Sequence, residues 1–212
     1  MDMLRSPSVR RVLFDFDGTL FDTQTLHAQV EAELCKQHGV IVSPDEITER
    51  FAGTSTKTTF ETLLGCDPAT AAALARTKWD IMFPRMCEAR PLADLRRLFV
   101  ILQALDVSIA IGTASPQKWA RGILERNDLL SFFEQDSVVG GDMVAQGKPA
   151  PDIWLLAATH VDPSACLVVE DGVAGVEAAR AAGMRACLLT PRTHGYASSI
   201  SELADILRII FG

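Results

Sequence analysis

Tyrosine occurs once in these 212 residues, histidine four times and cysteine five times. The cysteines (Cys35, Cys66, Cys87, Cys166, Cys187) form no C-x-x-C pair and have no zinc-like spacing to histidine, so reduced and mostly buried thiols are expected. Excess positive charge is missing too. Twenty Lys and Arg stand against 27 Asp and Glu, a formal net charge of -7. That argues against a general nucleic-acid partner, which is bound through clustered basic residues, while a local basic pocket stays open. No apolar run reaches about 18 residues free of charge, and the best, from Leu98 to Ile111, is broken by Gln103 and Asp106. Met1 to Arg11 carries charge, leads into no secretory apolar stretch and reads as a short disordered start. A cytoplasmic, soluble protein with no membrane partner is expected. Repeats and low-complexity tracts are absent. With 48% hydrophobic residues the chain can bury an ample core, as one large domain or one domain with a smaller insert.

The most informative stretch is Val12-Leu13-Phe14-Asp15-Phe16-Asp17-Gly18-Thr19. Its apolar residues read as a buried strand over 11–16, ended by Gly18, which supplies the freedom a tight turn needs. Two carboxylates leave the sheet together. Desolvating paired anions is expensive unless a cation or hydrogen bonds meet them.

From residue 105 onward short apolar runs alternate with helical patterns, as in a parallel sheet covered on both faces. Strands are expected at 107–111, 137–139, 166–169 and 185–189. Ser115-Pro116 reads as an N-cap and first-turn proline for a helix to about Asn127, with further helices at 151–159, 173–182 and 198–210. Roughly 90 residues separate the first strand from the next, whereas a parallel crossover needs only a dozen or more. The excess is helical: Leu26, Val30 and Leu34 recur at four-residue spacing, Gly39 is a stop, Ser43-Pro44-Asp45-Glu46 is a start, and a helix spans about Ala69 to Met82. The domain division is 1–21 and 91–212 for the sheet domain and 22–90 for a helical insert whose two links lie close together.

Three other segments set polar groups at or near strand ends: Thr113 to Ser115, Lys148 in Gly147-Lys148-Pro149, and Glu170-Asp171. Carboxyl ends of strands are where open parallel sheets bind ligands. Asp15, Asp17, Glu170 and Asp171 together are too acidic to coexist unaided, since like charges about 4 Å apart repel by roughly 4 kcal/mol at an effective dielectric near 20. A hard divalent cation in an all-oxygen site, best Mg²⁺, resolves this. Lys148, the Thr113 hydroxyl and the amides of the turn over Ala114, Ser115 and Pro116, at a helix start, then suit a phosphate. The set implies phosphoryl transfer.

In this order the segments resemble the four motifs of the haloacid dehalogenase-like hydrolase superfamily: Asp15-Phe16-Asp17-Gly18-Thr19-Leu20-Phe21-Asp22, then Thr113, then Lys148 in Gly-Lys-Pro-Ala-Pro-Asp, then Glu170-Asp171-Gly-Val-Ala-Gly. The match spans nearly the whole chain, and the insert after the first motif is similar to the branch holding beta-phosphoglucomutase, phosphoglycolate phosphatase and small sugar-phosphate phosphatases. The resemblance implies an α/β fold with a doubly wound, parallel, Rossmann-like sheet core and a small helical cap domain. It implies that Asp15 is the nucleophile and Asp17 the general acid and base, with the metal contact of Asp17 made by its backbone carbonyl. Lys148 and Thr113 would hold the phosphoryl group, and Asp171, with Glu170 directly or through water, would complete the Mg²⁺ site. Substrate contacts in the cap are transferred to His27, Lys78, Gly53 and Thr54. Two departures stand out: Pro91-Leu92 replaces the common Pro-Gly, and Thr56 occupies the place of the mutase's phosphate-binding arginine, which favours a phosphatase.

Each residue also has a plainer reading. Asp-x-Asp-Gly opens calcium loops, but here a strand precedes it and the third acidic ligand is missing. A response-regulator receiver shares the aspartate, hydroxyl and lysine yet lacks a long insert. Glu170-Asp171 before a helix could serve as a cap. His27 alone is a polar helix-face residue and Lys78 a solvated one; His38, His160 and His194 read as surface, and Trp79, Met82 and Phe83 as core of the insert. The expected activity is a Mg²⁺-dependent phosphomonoesterase on a small phosphorylated metabolite, as a monomer or small homo-oligomer. A phosphoglucomutase-type transferase and an inactive binding protein remain alternatives.

Overall fold

The computed structural model describes residues 9–189. Five parallel strands form one sheet: β1 (Arg11–Phe14), β2 (Ser108–Thr113), β3 (Val138–Gly140), β4 (Cys166–Glu170) and β5 (Arg185–Leu188), in the order β3-β2-β1-β4-β5. β1 lies in the centre, pairing Leu13 with Ala110 on one side and Val168 on the other. Its side chains alternate between two cores. Val12 and Phe14 join the larger cluster with Phe99, Trp119 and Ile123, whereas Leu13 joins the other with Trp154, Ala157 and Ala178. A strand buried on both faces must be apolar throughout, and this one is.

Among the described residues the sheet is flanked by α5 (Leu95–Ala104), α6 (Gln117–Arg126), α7 (Asp152–Ala158) and α8 (Val173–Ala181). Between β1 and α5 lie α1 (Gln24–Gln37), α2 (Pro44–Phe51), α3 (Thr56–Leu64) and α4 (Pro68–Met82), followed by a 3₁₀ turn over Phe83–Glu88. Caps fix their starts: Ser43 Oγ accepts from the Glu46 amide at 3.1 Å, and Asp67 Oδ1 accepts from Ala69 and Thr70 at 2.9 and 3.1 Å. The chain leaves and re-enters the sheet domain through adjacent segments. Phe21 bridges Pro91, the Asp22 amide donates to Arg90 O at 2.8 Å, and the Leu92 amide donates to Leu20 O at 2.9 Å.

Several expectations need correction. Arg11 is not part of a disordered start: it opens β1, and Val9 is fully buried. β1 stops at Phe14, although the Asp15 amide still bonds Val169 O at 2.9 Å, because the chain then turns so that the Leu20 and Phe21 amides meet Phe16 O. Ser115 does not cap α6. Pro116 is the N-cap residue, and Asp142 Oδ1 accepts from the Gln117 amide at 2.8 Å instead. Helices α3 and α5 were not anticipated; α5 lay hidden in the apolar run that starts at Leu98. Lys78 is not solvated but 2% exposed, and His27 is buried. The helix expected at 198–210 and His194 lie outside the described residues.

Candidate active site

The strand order reverses at β1, which places the carboxyl ends of β1, β2 and β4 around one crevice. Asp15, Thr113 and Glu170 emerge there, and Gly18, with φ +88°, brings the chain back under them. No side chain fits at Gly18, where a Cβ would lie 2.2 Å from Asp171 Oδ2.

Asp15, Glu170 and Asp171 each offer a carboxylate oxygen within 4.8 Å of the others. Lys148 Nζ, on the segment after β3, donates to Asp15 Oδ1 at 2.5 Å and Glu170 Oε1 at 2.6 Å, and lies 4.5 Å from the centroid of the Trp154 ring. One ammonium against three carboxylates leaves two negative charges. Burial, and then the charge of Glu170, raise the Asp15 carboxyl well above its ordinary value, and the same causes lift Asp171 to about 7. Lys148 is also displaced upward: burial opposes its charge, but Asp15 and Glu170 outweigh burial. The donor set is all oxygen and carries the charge that a hard divalent ion neutralises, so the residues fit such an ion. Glu170 is further fixed by the Gly172 amide at 2.7 Å, and Asp171 by the Thr19 hydroxyl at 3.3 Å.

Asp17 faces elsewhere. Its carboxylate accepts from Thr23 Oγ1 at 2.6 Å, Trp119 Nε1 at 3.0 Å, Thr113 Oγ1 at 3.2 Å and Ser115 Oγ at 2.5 Å. His27 Nε2 stands 3.2 Å away, at an angle that makes no hydrogen bond. Burial opposes the charge of Asp17, but His27 and the hydroxyls outweigh it and hold the carboxyl well below the usual carboxylate range. The Asp17 carboxylate is therefore engaged away from the acid cluster of Asp15, Glu170 and Asp171. The turn after β2 also offers an anion fewer amides than the sequence suggested. Pro116 has no N–H, and the Ser115 amide is spent on Thr113 Oγ1 at 3.1 Å, so at most the Ala114 amide remains.

Above these groups a narrow cleft of about 40 Å³, part of it open to solvent, runs between the sheet and the inserted helices. Asp15, Asp17, Thr113, Ala114 and Ser115 line its floor; His27, Gly53, Thr54 and Lys78 line its upper wall with Glu31 and Thr56. Asp15, Asp17, Thr113, Ala114, Ser115, His27, Gly53, Thr54 and Lys78 thus meet around one space, whereas Lys148, Glu170 and Asp171 do not line it and adjoin it through Asp15; the Asp17 carboxylate lies beside that acid cluster rather than in it. Trp119, Thr23 and Glu31 were missed. Glu31 stands four residues after His27, which the resemblance had selected, so the helical period of α1 sets both on one face.

This fold, with an acid cluster and lysine at the strand ends, defines an α/β hydrolase of the phosphoryl-handling kind. The sequence profile described as "Haloacid dehalogenase-like hydrolase" matches residues 12–189, and the chain belongs to that family, in the branch of phosphatases and phosphoglucomutases. It is a phosphoric monoester hydrolase by class. Its relatives include the fructose-1-phosphate phosphatase YqaB of Escherichia coli, 32% identical over 182 residues, covering 82% of this chain and 93% of the relative. The beta-phosphoglucomutase of Bacillus subtilis is 30% identical over 188 residues, covering 83% and 81%. Among solved structures, a HAD hydrolase of family IA, variant 3, from Entamoeba histolytica superposes with a TM-score of 0.77 at 26% identity, covering 94% of this chain and all of that one. Among the described residues no helix is long and apolar enough to cross a membrane.

Proposed function

We propose that the protein is a Mg²⁺-dependent phosphomonoesterase acting on a small phosphorylated metabolite, such as a sugar phosphate or phosphoglycolate, through an aspartyl-phosphate. The observation that carries this reading is the Asp15 carboxylate, bound to Lys148 and clustered with Glu170 and Asp171 on the floor of the cleft. Asp15, Asp171, Glu170 and the main-chain carbonyl of Asp17 would hold the ion. When bound, it supplies positive charge that draws the phosphoryl group to Asp15 and offsets the charge growing on its oxygens.

An Asp15 oxygen attacks phosphorus, the phosphorus–oxygen bond to the alcohol breaks, and the phosphoryl group resides on Asp15. Lys148 shields the phosphoryl charge and favours the ionised form of Asp15 against the opposing effects of burial and Glu170. Asp17 gives its proton to the departing alkoxide, then takes one from the water that cleaves the acyl phosphate and returns the phosphate. The structure holds Asp17 as an anion on four donors, so it is set for the second half; the first half requires the carboxyl to leave some of those donors and take up a proton. The helical segment 22–90 would act as a cap that excludes water and contacts the alcohol portion of the substrate. The name of the E. coli relative supports a sugar phosphate as substrate.

The test is phosphate release across a panel of phosphate esters with Mg²⁺ and with EDTA. Release that depends on the metal is expected. Asp15→Asn is expected to lower kcat by about 10⁴-fold or more, the scale seen when a nucleophile is removed. Ordinary turnover by Asp15→Asn would refute the nucleophile assignment.

A further inference from the structure

The upper wall of the cleft holds a buried ion pair whose lysine the resemblance counts among the substrate contacts and whose carboxylate has no part assigned by motif or mechanism. Lys78 Nζ, on α4, donates to Glu31 Oε1 of α1 at 2.6 Å and to Thr56 Oγ1, at the start of α3, at 2.8 Å. Both charged side chains are more than nine-tenths buried, and both line the cleft. Lys78 is the one lysine or arginine among the cleft-lining residues, and around the pair stand the hydroxyls of Thr48, Thr54, Thr56 and Thr59. An ammonium has three donors. Glu31 and Thr56 take two, and the third has no hydrogen-bond partner among the described residues.

We propose that Glu31 is a specificity-determining residue: by cancelling Lys78 it keeps the cap end of the cleft electroneutral, so that the enzyme takes phosphomonoesters with an uncharged, hydroxyl-bearing tail and rejects those with a second anionic group. The proposal rests on the phosphomonoesterase reading above. A lone buried lysine in this wall would attract a carboxylate or second phosphate. With Glu31 hydrogen-bonded to that lysine, an incoming anion meets a like charge at the ammonium it needs, and like charges brought together across a recognition surface exclude a partner. A hydroxyl meets no such penalty. It accepts from the third Lys78 donor and donates to a carboxylate or threonine oxygen, which is how a polar wall selects a sugar or polyol.

Glycerol 3-phosphate and 3-phosphoglycerate share the phosphate and three carbons and differ only in ending on a hydroxymethyl or a carboxylate group. The measured quantity is the ratio of kcat/KM for the first ester over the second. Wild-type protein is expected to favour glycerol 3-phosphate by about tenfold or more, and Glu31→Gln, which leaves Lys78 uncancelled, is expected to lower that ratio by about tenfold. Glu31→Gln/Lys78→Gln is neutral again and should return the ratio to the wild-type side. Thermal melting establishes which variants fold. If Glu31→Gln does not, Lys78→Gln carries the same test with opposite sign, because it leaves Glu31 alone and the preference for the uncharged tail must grow.

A Glu31→Gln ratio within about twofold of wild type, when both states are expected to differ tenfold, overturns the proposal, as does a double variant that behaves like the single one. Absence of phosphate release from either ester would count against the phosphatase reading alone. The same ratio is then taken from dissociation constants by calorimetry in wild type and variants, where an unchanged ratio again overturns the selectivity claim.

Discussion

Trp119 Nε1 donates a 3.0 Å hydrogen bond to Asp17 Oδ1, although 102 residues separate them in the chain. The indole is fully buried and packs against the rings of His27, Trp79 and Phe83, so the aromatic cluster joining the sheet domain to the insert also orients the proposed acid-base residue.

Trp119→Phe keeps most of that packing and removes the donor. Asp17 must be ionised to act as base, and each donor to its carboxylate lowers its pKa. Loss of one therefore raises it, and the acid limb of the kcat profile should move to higher pH by on the order of one unit, the equivalent of a charge-assisted bond of about 1.5 kcal/mol. A pH–rate profile of the variant beside wild type checks this; an unmoved acid limb would exclude the role given to Trp119.

Lys148→Ala leaves Asp15 and Glu170 buried without their ammonium. Breaking a buried ion pair from one side costs about 3–5 kcal/mol, so the variant should melt well below wild type and lack phosphatase activity. If the proposed Mg²⁺ site is formed by the carboxylates that Lys148 no longer offsets, the ion should raise the melting temperature of the variant more than that of wild type. Equal metal shifts in the two proteins would show that the lysine and the ion do not share those charges.

Gly175→Ala tests how closely α8 presses on the acid cluster. A Cβ at 175 would sit 1.7 Å from Glu170 Oε1 and 2.1 Å from its Cδ, so Glu170 must leave Lys148. Overpacking of this kind costs about 1–3 kcal/mol, and displacement of Glu170 adds a loss of activity. Urea unfolding together with phosphate release measures both; a variant with wild-type stability and turnover would mean that Glu170 has another position open to it.

Asp67 provides a pH test remote from the site. Hydrogen bonds from the Thr70 hydroxyl and from the Thr70 and Ala69 amides hold its carboxyl below its ordinary 3.8 in the folded chain. A depressed folded value means that its contribution is complete above the unfolded pKa and is lost as pH falls through the folded one. Wild type and Asp67→Asn should therefore differ most in melting temperature above pH 5 and converge below pH 4, around the ordinary carboxylate pKa of about 3.9. A difference that persists unchanged to pH 2 would assign the capping effect to geometry rather than charge.

Read on its own, the sequence determined what can be decided locally. Val12, Leu13 and Phe14 are apolar because a central parallel strand is buried on both sides, and Gly18 marks the turn; both follow from short-range patterning. The order of the predicted strands and helices from residue 105 to 189 was legible for the same reason, with ends displaced by one or two residues. So was the excess of carboxylates at 15, 17, 170 and 171, since burial of so much charge demands compensation wherever it occurs.

The tertiary structure decided which charges compensate which. It turned the Asp17 carboxylate onto Thr23, Thr113, Ser115 and Trp119 while its neighbour Asp15 turned to Lys148, and it spent Ser115 on Asp17 where the local pattern offered a helix cap. It also drew Lys78 out of solvent onto Glu31, 47 residues away. Electrostatic pairing and desolvation act through space and not along the chain. The spacing Ala71, Leu74, Lys78, Met82 does set the lysine on the buried face of α4, but what it meets there is decided by what α1 places opposite it, and the sequence of α4 does not carry that partner.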